Sequence, residues 1–319
     1  MQEPVLLADI GATNARFALL QQGRLGQVSS YAVAAFPVPE EAARQFLDDT
    51  STAGPPPRSA IIAAAGALVD GLITMVNAGW TLDPARLCSA LGLSVTRVLN
   101  DFEALAWALP DLGPDDLVAL DNVPPPATGT LAVIGPGTGF GLAALVRGTG
   151  NDHPVVTEGG HATIAAEDAR EDAVIDRLRA ELGHVSVERV LSGAGLAALY
   201  RALAKVENPT APARDSPAIV AHALAGDCPH SRETLAMFCA FLGSVAGNTA
   251  LTLGATGGVF IAGGVTPRFR SFLLASRFRE RFEAKGRLQP YLARIPTRLI
   301  VHPNPAFVGL YRLARLSGG

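Results

Sequence analysis

Two short segments combine a glycine-rich turn with small polar side chains between apolar runs, a composition suited to holding phosphates. Asp9-Ile-Gly-Ala-Thr-Asn14 sets a carboxylate, a glycine and two short polar side chains after the apolar run 5–8. Gly135-Pro-Gly-Thr-Gly-Phe-Gly141 sets four glycines at alternate positions around one hydroxyl, between the apolar runs 131–135 and 140–146. Glycine frees the backbone to turn successive N–H groups to one side, where they face an anion. Either segment alone reads equally well as an ordinary hairpin; the two together point to phosphate chemistry. Three further groups offer proton and hydrogen-bond chemistry. Asn100-Asp101 ends the apolar run 95–99, at the carboxyl end of a strand where an α/β sheet presents ligands, although a helix N-cap selects the same residue types. Glu158-Gly-Gly-His161 pairs an acceptor with an imidazole across two permissive glycines, where a plain surface turn is the simpler reading. Glu188, inside residues 187–193, reads by default as a solvated helix charge.

Other chemistries are disfavoured. A Walker A pattern and a G-x-S-x-G elbow are both absent, which argues against a P-loop fold and an α/β-hydrolase. Gly139-x-Gly141-x-x-Ala144 and Gly193-x-Gly195-x-x-Ala198 satisfy the dinucleotide fingerprint formally. The first leaves too few residues before Gly148 for a crossover helix. The second opens a helix, but the acidic residue near the ribose-reading spacing, Asp215, falls in a proline-rich loop. The histidines at 153, 161, 184, 222, 230 and 302 form no H-E-x-x-H or Cys/His pair, so no protein-built transition-metal site is expected. Residues 268–298 are basic, yet Phe269, Phe272, Phe278 and Phe282 recur at mostly helical spacing and read as core rather than as a nucleic-acid face.

The elements that must position these groups follow from periodicity and turn residues. Strands are predicted at 5–8, 15–20, 60–65, 95–99, 131–135, 140–146 and 298–302, with a glycine-punctuated return through 71–76. Helices are predicted at 40–47, 84–91, 102–109, 168–182, 195–204, 217–224, 234–253 and 268–283, and from 306 onward. The strand–turn–strand pattern of the first segment recurs at 131–146, which suggests two related halves. The proline-rich stretch 124–129 marks a boundary by composition, with one near Pro110 as the alternative. A chain of 319 residues with 49% hydrophobic and 17% charged residues and net charge −3 is large enough for a substantial core, and excludes the disordered class and a generally nucleic-acid-seeking chain. Three cysteines, Cys88, Cys228 and Cys239, suit a reducing cytoplasm better than a disulfide framework. The first residues lack a basic region followed by a long apolar stretch, so no signal peptide is expected, and the long uncharged span 234–267 reads as a buried helix, a turn and a strand. The class is α/β with mixed sheets.

Taken in order, these segments resemble the bacterial, proteobacterial-type glucokinases of the hexokinase and actin-like ATPase superfamily. The likeness runs through residues 9–14, 74–80, 99–102, 134–141, 158–161, 183–193, 257–264 and 301–305, and rests on their order and spacing. It implies a two-lobed actin-like ATPase (ribonuclease H-like) fold with an interlobe cleft: a small α/β lobe at 1–110, to which 301–319 return, and a large one at 111–300. It also implies ATP-dependent phosphorylation of D-glucose at the 6-hydroxyl, with Asp101 as general base and Asn77, Asn100, Glu158, His161 and Glu188 on the sugar hydroxyls. Asp9 would orient Mg²⁺ through water; Gly11, Ala12 and Thr13, with Gly137, Thr138 and Gly139, would enclose the phosphates; Gly263 and Gly264 match the adenosine-side segment. The partners implied are glucose and ATP, with neither nucleic acid nor membrane; monomer and homodimer are both left open.

Two positions depart from the pattern. Ala12 stands where many relatives carry a second glycine and adds a methyl beside the expected phosphates, and Ala67 stands where relatives often have proline. The related ROK kinases and repressors carry a cysteine-rich zinc loop that three cysteines cannot form. A kinase for another hexose or amino sugar and a catalytically weak sugar-binding regulator remain the alternatives, since a fold alone does not guarantee turnover.

Overall fold

Strand β1 (Val5–Ile10) and strand β2 (Asn14–Gln21) pair antiparallel, with Asp9 opposite Arg16 and Ile10 opposite Ala15. The computed structural model describes residues 3–50, 55–75, 78–148, 151–207 and 210–317. The chain divides into two compact units, Met1–Gly113 with Pro303–Gly319, and Pro114–His302.

In the first unit β3 (Arg24–Leu25) and β4 (Ser29–Ala32) edge β2, while β1 runs parallel to β5 (Ser59–Ala64), and β5 parallel to β9 (Val95–Asn100). Leu6, Leu7, Ala8, Ile62 and Ala63 are all buried, which is why β1 and β5 read as unbroken apolar runs rather than alternating ones. A small antiparallel sheet follows: β6 (Leu68–Val69), β7 (Leu72–Met75) and β8 (Trp80–Leu82). Helix α1 (Pro39–Asp49) packs on β2, β8 and α2 (Pro84–Leu91). Helix α2 begins with Pro84, is capped by Asp83, whose carboxylate accepts from the N–H groups of Ala85 and Arg86, and ends on Gly92 at φ 67°. Helix α3 (Asp101–Ala108) leaves the end of β9 without a connecting loop.

The second unit repeats the arrangement. Strands β11 (Leu131–Pro136) and β12 (Phe140–Val146) form an antiparallel hairpin, β11 runs parallel to β14 (Gly258–Ile261), and β14 parallel to β15 (Thr297–Ile300). The edges are β13 (His153–Thr157) on β12 and β10 (Leu117–Ala119) on β15. Helices α4 (Ala169–Leu182), α5 (Val187–Val190), α6 (Gly193–Glu207), α7 (Ser216–Ala225) and α8 (Pro229–Leu253) follow the hairpin. Helix α8 is long and apolar enough to cross a membrane, but 83% of its most apolar window is buried inside the protein. Its buried Thr234 and Thr249 hydroxyls donate to carbonyls one turn back, at 2.8 and 2.9 Å, so burial leaves them satisfied.

Residues 268–283 do not form the one helix expected. They split into a 3₁₀ turn at Thr266–Phe269 and two short helices, α9 (Arg270–Ala275) and α10 (Phe278–Glu283). The break lies at Ser276, in extended conformation, whose hydroxyl donates to Leu273 O and accepts from Phe278 N–H, a local alternative to helical bonding. After α11 (Gln289–Leu292) and β15 the chain returns to the first unit as α12 (Pro305–Ser317), which packs on α3. A Cβ on Gly309 would sit 1.9 Å from Ala104 O, so α12 and α3 touch backbone to backbone.

Candidate functional site

Asp9 lies inside β1 rather than in the turn after it, facing Arg16 across the hairpin with Nη1 at 3.3 Å from Oδ2. Its side chain keeps 18% of its exposure. Burial pushes the carboxyl above its ordinary value, and the charge and hydrogen bond of Arg16 oppose that rise. A carboxylate held in this way gains from any further cation brought to it. The turn closes as Gly11 N–H donates to Asn14 O at 2.9 Å, and Val33 N–H donates to Thr13 O at 2.9 Å. A Cβ on Gly11 would meet nothing nearer than Asn14 O at 3.7 Å, so the protein's own packing does not demand glycine there. Ala12 is half-buried and Thr13 exposed.

The second turn is anchored more firmly. Gly137 N–H donates to Gly139 O at 2.8 Å, and Gly193 N–H, at the start of α6, donates to Gly137 O at 2.9 Å. Thr138 is exposed at its tip. Gly263 adopts φ +87°, and its Cβ would lie 2.2 Å from Pro136 O, so no other residue fits; Gly264 has open space around it. A methyl at Gly11 or at Gly137 would thus make only an ordinary contact, and one at Gly264 would meet nothing.

Asn100 is both the end of β9 and the cap of α3. Its Oδ1 accepts from the N–H groups of Phe102 at 2.8 Å and Glu103 at 3.3 Å, and its Nδ2 donates to Gly66 O at 2.9 Å. The N-cap reading is therefore correct, and one side-chain N–H remains for a ligand. Asp101 takes the first helical position, with Oδ1 accepting from Phe102 N–H at 3.0 Å. Asn77 lies outside the described residues.

In the second unit one local assembly gathers Glu158, His161 and Glu188. Glu158 precedes a single 3₁₀ turn, Gly159–His161, and His161 Nε2 lies 4.0 Å from Glu158 Oε2, both side chains being more than half exposed. The next residues pair with those before α5: Thr163 bridges Ser186, and Val187 N–H donates to Ala162 O at 2.9 Å. Glu188 then reaches back to the glycine turn, its Oε2 accepting from Phe140 N–H at 2.9 Å. The sugar-side candidates and the second phosphate turn are thus built onto each other. Among the described residues no group of three or more His, Cys, Asp or Glu could hold a metal alone. A Mg²⁺ ion carried largely by substrate phosphates and water needs only one or two carboxylates, and half-buried Asp9 fits that donor set.

Three participants were not named from the sequence. Arg16 was readable in principle, because an antiparallel hairpin about residues 11–13 puts it opposite Asp9. The carbonyl of Gly66 and the Phe140 N–H carry no sequence signal, since any residue type offers them.

The sequence profile of the glucokinase family matches residues 6–317. Glucokinase of Paramagnetospirillum magneticum is 45% identical over 314 residues, covering 97% of each chain. The chain belongs to the glucokinase family. Its fold agrees: the crystal structure of glucokinase from an Antarctic psychrotroph superposes with a TM-score of 0.88 at 37% identity, covering all of both chains. A ROK family glucokinase from Streptomyces griseus, solved with glucose and AMPPNP, shares the fold at a TM-score of 0.67 and 19% identity, over 98% of this chain and 99% of that one. The chain therefore has the mixed-sheet α/β architecture of the glucokinases, and the ROK family glucokinase shares that fold at low identity.

Proposed function

We propose that this glucokinase-family enzyme transfers the terminal phosphoryl group of ATP to the 6-hydroxyl of D-glucose, with Asp101 as general base. The observation that supports it best is the way Asn100 and Asp101 are held. Asn100 is fixed by three hydrogen bonds, and Asp101 sits at the start of α3 with one oxygen on Phe102 N–H. As the sugar oxygen attacks phosphorus, the Asp101 carboxylate accepts the hydroxyl proton. Asn100 offers its remaining N–H to a sugar hydroxyl, while Glu158, His161 and Glu188 supply acceptors and an imidazole for the others; Asn77 is assigned with them from the resemblance. A sugar lacking one of these hydroxyls leaves a polar group unpaired, which is the basis of selection.

Phosphoryl transfer asks mainly for positioning and charge neutralisation. Gly11, Ala12 and Thr13, and Gly137, Thr138 and Gly139, would enclose the phosphates: the N–H groups of Gly11 and Gly137 are spent closing the two turns, and Thr13 and Thr138 offer their hydroxyls, with Gly263 and Gly264 beside the adenosine. When bound, Mg²⁺ would neutralise phosphate charge; Asp9 would hold it through water, and Arg16, 3.3 Å from the Asp9 carboxylate, would keep that side chain in place. The reading further takes the enzyme to be cytoplasmic, free of nucleic acid and membrane, with homodimer as one assembly to be tested. A panel of glucose, mannose, fructose, glucosamine and N-acetylmannosamine with Mg²⁺–ATP, scored by ADP release, tests the substrate. Glucose should give the highest kcat/KM; a higher value for an amino sugar would replace it.

A further inference from the structure

Gly139 is a glycine without an evident backbone reason. It is not among the residues with positive φ, so its conformation is open to any residue. Its neighbour Gly137 shows what a glycine bordering open space looks like, with the nearest atom to its Cβ at 3.9 Å. At Gly139 the three nearest atoms to a built Cβ all belong to one side chain: Glu188 Oε2 at 2.3 Å, Cδ at 3.2 Å and Oε1 at 3.9 Å. The missing side chain is the space in which the Glu188 carboxylate lies.

That placement is fixed from both ends. Oε2 accepts from the N–H of Phe140, the residue after Gly139. Phe140 itself is buried, and its carbonyl is pressed by Gly160, whose Cβ would come within 2.0 Å of it. The backbone of Glu188 is held by Val187 N–H on Ala162 O and by Gly195, whose Cβ would stand 3.0 Å from Glu188 O. A side chain at 139 therefore leaves the main chain of Glu188 where it is and turns its flexible end away from Phe140.

We propose that Gly139 is a positioning residue for sugar recognition, its absent side chain admitting the Glu188 carboxylate, so that the turn assigned to the phosphates also sets a group that reads the sugar. The inference rests on Glu188 contacting glucose, as proposed above. It assigns Gly139 a duty toward the sugar, where its place in a glycine-rich turn suggests only room for phosphate.

The test is equilibrium titration of wild type, Gly139→Ala, Glu188→Ala and the double variant with glucose and, separately, with the ATP analogue AMPPNP and Mg²⁺, alongside their unfolding temperatures. Gly139→Ala should weaken glucose by about tenfold to a hundredfold, the scale of a lost hydrogen bond to a charged group, with AMPPNP affinity changed less than about threefold. Its unfolding temperature should fall no further than that of Glu188→Ala, because both variants lose the same bond to the Phe140 N–H. In the Glu188→Ala background, Gly139→Ala should change glucose affinity no further. Weakened AMPPNP with unchanged glucose would overturn the proposal and return Gly139 to the phosphates, as would penalties that simply add in the double variant. If Glu188→Ala keeps wild-type glucose affinity, the assignment of Glu188 to the sugar fails first and the proposal falls with it.

Discussion

Asp101 and Asp9 are the carboxylates assigned to the proton and to the metal. Asp101 takes the first position of α3, with Oδ1 accepting from the Phe102 N–H. Asp101→Asn keeps the shape and removes the proton acceptor, so kcat should fall by at least about 10²-fold, the lower end of what general base catalysis contributes. Glucose binding, read by titration, should survive; a variant keeping more than a tenth of wild-type kcat would remove Asp101 from the role. Asp9 is half-buried with the Arg16 guanidinium beside it, and its desolvation raises its pKa above 3.8. A carboxyl with a raised folded-state pKa binds its proton more tightly folded than unfolded, so the cost of burying the charge is absent below 3.8 and is fully incurred once pH passes the folded value. Asp9→Asn should therefore unfold at pH 7 in no less urea than wild type. The same variant should need more Mg²⁺ for half-maximal rate while glucose affinity barely moves. Lower stability together with an unchanged Mg²⁺ dependence would contradict both statements.

Among the elements, those with long apolar runs or clear punctuation could be read in advance. Helix α2 shows why: Asp83, Pro84 and Gly92 mark its two ends with side chains whose only local use is capping or turning. The hairpins at 5–21 and 131–146 were equally legible, because polar glycine turns interrupt apolar strands. Strands β4, β8, β10 and β13 were not, being three to five residues long and at sheet edges, where the partner strand supplies the register; β13 even carries Pro154. The break at Ser276 was hidden because the phenylalanine spacing continues across it. At the site, Asn100-Asp101 could be located but not its anchor on Gly66, and Glu188 could be named only by resemblance, since its bond to Phe140 joins residues 48 positions apart. The backbone contact of α12 with α3 gives a stability prediction. Gly309→Ala puts a methyl against Ala104 O and should cost about 1–3 kcal/mol, as overpacking generally does. A calorimetric Tm lowered by several degrees is expected, and an unchanged Tm would mean that α12 lies further from α3 than described.

Taken whole, the chain places its proposed groups in both compact units: Asp9, the first turn, Asn100 and Asp101 in one, and the second turn, Glu158, His161 and Glu188 in the other. Their order and spacing along 319 residues made the family recognisable, although no one segment is specific. A ligand that binds the folded state alone stabilises it, so saturating glucose should raise the calorimetric Tm, and an unchanged Tm would count against glucose binding. Protein stripped with EDTA should regain full activity on Mg²⁺ alone, since no metal-holding cluster exists among the described residues, and stoichiometric tightly bound zinc would contradict that. The central claim is transfer to the sugar 6-hydroxyl, and phosphorus-31 NMR of a reaction of the purified protein with glucose and Mg²⁺–ATP reads it most directly. Glucose 6-phosphate should appear in step with ADP, and only slow ATP loss should occur without sugar. Inorganic phosphate in place of the ester, or an ester at another hydroxyl, would contradict the account.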